Sequence, residues 1–353
     1  MPSTRDSHRL ALARARLVQP VRVDLSGANG PTKNQARGNR WRRTSQGFYV
    51  PAEVDGTLTE QRILEAAAVL PAFGGVTGWA ALRWGGGAWF DGTAAGGRVV
   101  RPVVLATGYC DVLSQAGVTI SQERLGPTEL IELDGLPLTS MVRSVVFEMR
   151  YASTLRLAVV AIDMAAYNDL VSLEEVADYA LSHPGWTGIP QVRKAIALAD
   201  ENSWSPWETR MRLAWVLDAG LPRPLCNVPV FDRVGNHIGT PDIFDEEAGV
   251  VGEYDGSLHL EGAQRARDVR REELFRRHGL EYFTMLAGDA ADPTRLVDRM
   301  LATRRRALWR APAERSWSIT PPAWWTESDT VVRRRELDAT ARARVLRLRR
   351  QTG

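Results

Sequence analysis

Lysine is nearly missing from this chain. Of its 45 lysine and arginine residues only Lys33 and Lys194 are lysine, and none follows Lys194. Any site built from residues beyond Lys194 therefore has to work without a lysine ammonium. Arginine suits bidentate contacts with phosphate and with base edges, although an arginine-biased coding preference accounts for the same excess. Cysteine is as sparse: Cys110 and Cys226 lie far apart and outside any Cys-x-x-Cys pattern, which argues against a disulfide framework or a zinc site and fits a reducing cytosol. No stretch of 18 uninterrupted apolar residues occurs, so no membrane span and no membrane partner are expected. The basic N-terminus (Arg5, Arg9, Arg14, Arg16) is not followed by an apolar run of signal-peptide length, and a cytoplasmic location is the expectation.

What is present is the profile of a globular protein able to bury cores: 353 residues, 44% hydrophobic and 25% charged, enough for two or three domains. The net charge of +3 is compatible with nucleic-acid binding without requiring it.

Residues 1–55 read as an irregular segment, with a Gly-, Asn- and Pro-rich loop over 26–38 and then a wing-like hairpin. One arm of that hairpin carries Arg42 and Arg43, and the other is Gly47-Phe48-Tyr49-Val50-Pro51. The basic arm makes Arg42 and Arg43 candidates for nucleic-acid contact. Residues 56–200 read as mixed α and β. Helices are expected over 58–70, 76–84 (with Thr77 as N-cap), 143–149, 155–167 and about 190–200, a capping box at Ser172–Glu175 opens another, and strands are expected over 98–106 and 118–133.

The composition shifts at Glu201–Pro206. Ser205 reads as an N-cap, Pro206 as the first helical residue and Glu208 as the third. Strands follow over 226–231, 237–244 and 250–254, then an arginine-rich helix at about 261–278, a strand at 280–286 and a helix at 294–308. The expected order over 203–310 is αβββαβα. Residues 311–353 read as a Pro- and Trp-rich linker with a basic tail, able to touch phosphate or to dock on its own protein as an amphipathic helix.

One group of residues could carry chemistry. If Glu247 and Ala248 centre the turn, Asp242 stands opposite Glu253 across antiparallel strands, and Asp255 shares the face of Glu253. Three carboxylates on one patch repel unless protons are shared or a cation binds. Mg²⁺ (or Mn²⁺) suits such a patch, because it takes one or two carboxylates plus water and substrate phosphate. A bulge at Gly249 would shift the register by one and undo the pairing. The plainer alternatives are that Asp242 ends a strand and that Glu253 and Asp255 face solvent. Glu208 completes a Ser-x-x-Glu capping box and needs no chemistry to explain it, yet a helix start beside such a site would aim it inward. His259 is a candidate general acid/base or phosphate contact, or a surface histidine. The helix that follows is laced with i,i+3 and i,i+4 charge pairs; within it Arg271 is the candidate for phosphate contact.

The run Pro241-Asp242…Glu253-x-Asp255-Gly256-x-x-His259…Asp268-x-x-Arg271…Leu274-x-x-x-x-Gly279 resembles the very-short-patch-repair-like branch of the PD-(D/E)XK restriction-endonuclease-like superfamily, over about 105 residues. The resemblance implies an αβββαβ core and Mg²⁺-dependent phosphodiester cleavage, with Asp242 and Glu253 as metal ligands and Glu208 as the helix acid. The chain departs from the family pattern in two places. Asp255 stands where the motif lysine is usual, and Thr284 stands where related sequences often carry arginine near the fourth strand. Gly47–Pro51, Thr77–Leu82 and Gly135–Ser140 with Arg143 resemble the N-terminal region of proteins that join this nuclease-like domain to an abortive-infection type IV antitoxin-like region; the winged helix usual before the Tyr-Val-Pro segment is replaced here by Gly- and Pro-rich residues. Three functions are therefore compatible with the sequence. The first is a metal-dependent DNA endonuclease in repair or phage defence. The second is a non-catalytic DNA-binding regulator or antitoxin, with a toxin or other protein partner. The third is an interaction module without nucleic acid.

Overall fold

A computed structural model describes Arg14 and residues 16–94, 97, 99–113, 115–256, 262–290 and 292–352, with side chains placed at all of these except 262–268, 290 and 348–352. The fold is mixed α and β. The chain divides into two compact units, the first Met1–Ser153 with Glu174–Arg193, the second Thr154–Leu173 with Lys194–Gly353.

The first unit contains β1 (Val21–Arg22), β2 (Trp41–Ser45), β3 (Phe48–Pro51), α1 (Thr59–Ala67), β4 (Gly75–Thr77), α2 (Trp79–Trp84), β5 (Val103–Ala106), β6 (Val118–Ser121), β7 (Leu130–Leu133), β8 (Leu136–Thr139) and α3 (Met141–Tyr151). The expected hairpin is β2–β3, with β1 added antiparallel to β3. A second, five-stranded sheet runs in the order β6-β5-β4-β8-β7 and mixes parallel with antiparallel neighbours. Val76, Leu105 and Leu138 on this sheet are fully buried, as are Ile63 of α1 and Val145 and Met149 of α3.

Thr77 does not cap a helix. It lies in β4, buried, and its hydroxyl accepts from Thr139 Oγ1 at 2.8 Å. The next residue, Gly78, turns the chain at φ +63° into α2, where a side chain would be strained. Glu148 then supplies the cap from α3, its Oε1 accepting from Trp79 N at 2.8 Å. A cap from a distant element leaves no local sequence signal, which is why Thr77 looked like the cap.

Helix α4 (Leu155–Tyr167) belongs to the second unit; α5 (Leu173–Ser182) lies almost wholly in the first, and α6 (Ile189–Leu198) spans the boundary. The second unit continues with α7 (Pro206–Leu213), β9 (Leu225–Cys226), β10 (Val230–Asp232), β11 (His237–Gly239), β12 (Ile243–Asp245), β13 (Val250–Asp255), α8 (Gly262–Arg277), β14 (Glu281–Leu286), α9 (Pro293–Arg306), β15 (Trp317–Ser318), α10 (Val331–Glu336) and α11 (Ala339–Thr352). Ser205 caps α7, its Oγ accepting from Glu208 N, and Pro206 occupies the first turn. The helix ends in a π turn over Ala214–Asp218, closed by Ala219 N donating to Ala214 O at 2.9 Å.

Each of the two strands expected over 226–231 and 237–244 is broken in the middle. Asn227 takes a left-handed φ of +47° between β9 and β10, and Thr240-Pro241-Asp242 separates β11 from β12. The fragments therefore serve two sheets: β14-β13-β12-β9, and β11-β10-β15. In the four-stranded sheet β13 pairs antiparallel with β12 and parallel with β14. One face packs against α7 and α9 through Met211, Trp215, Ile243, Val250, Phe283, Leu296 and Met300. The other packs Phe244, Val251 and Tyr282 with Phe275 of α8 and Trp317.

Gly252 in β13 makes this packing possible. Phe283 on β14 lies beside it, and a Cβ there would stand 2.4 Å from Phe283 Cζ and 2.8 Å from Ile243 Cγ1. Gly252→Ala is expected to lower stability by about 1–3 kcal/mol through overpacking, read as a drop in the urea midpoint. An unchanged midpoint would show that the Phe283 ring moves aside freely.

Candidate functional site

The turn joining β12 and β13 sets the register of the acids. Gly249, at φ +74°, closes a loop of four residues by donating to Asp245 O at 2.9 Å, and Asp245 Oδ1 accepts from Ala248 N. Arg304 of α9 braces the same carboxylate through Nε at 2.7 Å. Ile243 then faces Gly252, Phe244 faces Val251 and Asp245 faces Val250. Gly249 introduces no slip, and one further step along the strands puts Asp242 opposite Glu253.

Past Ile243 the ladder stops, and Asp242 turns to β13 by its side chain: Oδ2 accepts from Tyr254 N at 2.7 Å. Burial pushes its carboxyl up to about 6, against the pull of that hydrogen bond and of Arg271. Its electrostatic neighbour is Glu208, on the first turn of α7. Burial, and next the charge of Asp242, push Glu208 up to about 8, although Asn227, Trp204 and Ser205 hydrogen-bond to it. Glu208 Oε2 accepts from Trp204 N and from Asn227 Nδ2, both at 2.7 Å. The two carboxyls are 7% and 8% exposed. Raised to about 8, Glu208 is held towards its protonated form at neutral pH, which relieves the repulsion between the two acids.

Glu253 is occupied differently. Arg271 of α8 brings Nη2 to 2.8 Å from its Oε1 and also donates to Thr240 O at 2.7 Å. Tyr282 donates its hydroxyl to Glu253 Oε2 at 3.1 Å. Thr240 is in turn tied to His237, whose Nε2 lies 2.9 Å from Thr240 Oγ1. On the opposite face of β13, Tyr254 stacks on Trp207 with ring centroids 5.1 Å apart, and Arg210 caps Trp207.

The site thus joins Glu208 with Asp242, and sets Glu253 next to Arg271. Asp255 is half-buried at the end of β13; His259 lies outside the described residues. In the first unit, Arg42 is committed to its own fold, with Nη1 and Nη2 donating to Glu65 Oε2 and Oε1 at 2.9 and 2.6 Å. Arg43 is exposed on the hairpin. Sequence reasoning missed Asn227 and Tyr282, the partners of Glu208 and Glu253. Nothing in the spacing marks either residue as a partner; only Pro229, two residues past Asn227, hints at a break.

Among the described residues, no group of three or more His, Cys, Asp or Glu side chains is arranged to hold a metal ion. Two buried acids, with an orphaned buried oxygen (Asn227 Oδ1) on a residue hydrogen-bonded to one of them, nevertheless fit a hard divalent cation that takes a few protein oxygens and completes its shell with water. No described helix is long and apolar enough to cross a membrane. Comparison with protein-family models, with curated proteins and with solved structures finds no match.

Proposed function

We propose that the second unit is a metal-dependent DNA endonuclease with a restriction-endonuclease-like αβββαβ core. The observation that carries this reading is the buried pair Glu208–Asp242, on a helix start and a strand end of the sheet β14-β13-β12-β9. The order of elements from α7 to β14 supports the core, and so does a sheet whose first three strands are antiparallel and whose last is parallel to the third.

Glu208 and Asp242 would hold the ion, Mg²⁺ or Mn²⁺, which polarises a phosphate oxygen and lowers the pKa of an attacking water. The chain's own residues do the rest. Glu208 carries the proton of the pair and gives it up when positive charge enters the site. Arg271 and Tyr282 fix Glu253 on the sheet, and Arg271 provides a guanidinium at the position on α8 that faces the acids, in a region where Asp255 replaces the motif lysine. Trp207 and Tyr254 stack against each other on the opposite face of β13.

Supercoiled plasmid is expected to be nicked or linearised by the full-length protein with Mg²⁺ or Mn²⁺ and not with EDTA, and Asp242→Ala is expected to bring cleavage to background. Equal cleavage by wild type and variant would refute the enzyme. The pinning of Glu253 by Arg271 favours one other reading, a DNA-binding regulator or antitoxin that kept the fold; it predicts salt-dependent DNA retention with no cleavage under any metal.

A further inference from the structure

We infer that Asn227 completes the divalent-cation site with Glu208 and Asp242, supplying a third protein oxygen from its side-chain amide, while Glu253 stays outside that site. The inference rests on the metal-dependent reading above and departs from the Asp242–Glu253 pair that the sequence resemblance implies.

Asn227 is hydrogen-bonded to the Glu208 carboxylate and to the main chain of Asp242. Its backbone N–H donates to Asp242 O at 3.2 Å, and its Nδ2 donates to Glu208 Oε2 at 2.7 Å and to Asn202 O at 2.7 Å. The side chain is 3% exposed, on a residue held at φ +47°. Asparagine tolerates that conformation better than most residues, and the cost is accepted where surrounding structure requires it. Chemistry fixes the orientation of the amide. Asn202 O is a carbonyl and only accepts, so the nitrogen has to face it. Oδ1 is left on the other arm of the same amide, buried and without a hydrogen-bond partner. A buried acceptor with no donor is a standing cost that a cation, or a water in its shell, would remove.

The electrostatics agree. Two carboxylates balance a dication, and a neutral amide adds a ligand without adding charge; hard cations accept amide oxygens as ligands. A site of this composition contains only two acidic side chains, consistent with the absence of a group of three among the described residues. Glu253, meanwhile, has its charge met by Arg271 and one oxygen met by Tyr282.

Titration calorimetry of the full-length protein with Mn²⁺ at pH 7.5 tests this, with far-ultraviolet circular dichroism melts to establish that each variant is folded. Asn227→Gly accepts the positive φ without strain and removes the oxygen; its Mn²⁺ affinity is expected to fall by roughly tenfold or more. Asn227→Asp keeps an oxygen in place but loses the Nδ2 donors, and is expected to bind at least as tightly as wild type. Glu253→Gln is expected to bind as wild type does. Wild-type affinity in Asn227→Gly, or weakened binding in Asn227→Asp, overturns the inference, the latter by showing that the Nδ2 bonds were the whole role of the residue. A loss in Glu253→Gln equal to that in Asn227→Gly overturns it too. Absence of Mn²⁺ binding by wild type would instead remove the metal-dependent reading itself.

Discussion

Asp163→Ala is expected to destabilise the second unit by about 3–5 kcal/mol, because it strands a buried guanidinium. Asp163 lies mid-way along α4 with no exposed surface, and Arg212 of α7 is 1% exposed. Arg212 Nη2 donates to Asp163 Oδ2, Thr209 Oγ1 donates to the same oxygen at 2.8 Å, and Asp200 N donates to Oδ1 at 2.8 Å. Burial pushes the Asp163 carboxyl up to about 6, and Arg212 and the two other donors pull it back. Arg212, held by Asp163, stays protonated. The pair is therefore ionised at neutral pH; Arg212 Nη1 also donates to Leu198 O, but Asp163 supplies its counter-charge. Arg212 Nε already lacks a hydrogen-bond partner, so little remains to compensate a lost carboxylate. Chemical denaturation of Asp163→Ala measures the cost, and the double variant Asp163→Ala/Arg212→Met isolates its cause. The double variant should recover much of the loss, since a buried pair can be replaced by apolar groups at little net cost. If the double variant is as unstable as the two single changes summed, the pair is not the source.

Stability in the absence of divalent ions is expected to fall as pH rises from about 4.5 to about 8. The cause is Glu208, pushed from 4.5 to about 8, with a smaller part from Asp242, pushed from 3.8 to about 6. Within those windows the folded protein holds protons that the unfolded chain has released. The sign follows from linkage: with more protons bound in the folded state, stability is full below the unfolded pKa and is lost as pH climbs through the folded one. The expected difference between wild type and Glu208→Gln is a slope over this window amounting to about 2–5 kcal/mol by pH 8.5. The comparison with Glu208→Gln cancels the other titrating groups, Asp163 among them. On the proposed metal-dependent reading, added Mn²⁺ should flatten the wild-type slope, because a dication would take the place of the Glu208 proton. Parallel pH profiles for the two proteins would mean that Glu208 ionises freely in the folded state.

The parts of this site that were legible in sequence are those set by local chemistry. Ser205, Pro206 and Glu208 announce a helix start by residue type and spacing. Asp245–Gly249 carries turn chemistry, and from its centre the opposition of Asp242 and Glu253 follows by counting. What escaped was set by single backbone dihedrals and by side chains reaching across elements. Nothing periodic marks Asn227 as the break between two strands, and apolar alternation runs on through it. Arg271 stands out in the sequence as a candidate for phosphate contact; only the fold shows that it reaches Glu253 and Thr240 O. Asp163 did leave a trace, a lone acid in the apolar run Leu155–Tyr167, and its partner Arg212 is an arginine on an otherwise buried helix face.

Asp163 also bears on how the chain can be divided. It is delivered to the second unit by residues 154–173, after which the chain returns to the first unit and comes back only at Lys194. Neither unit is a continuous stretch of polypeptide. A fragment beginning at residue 203, where the composition shifts and a boundary looks natural, would lack α4 and leave Arg212 buried with no counter-charge. The second unit is thus not a detachable cassette. A cut at the apparent boundary separates it from α4, which the chain carries between two segments of the first unit.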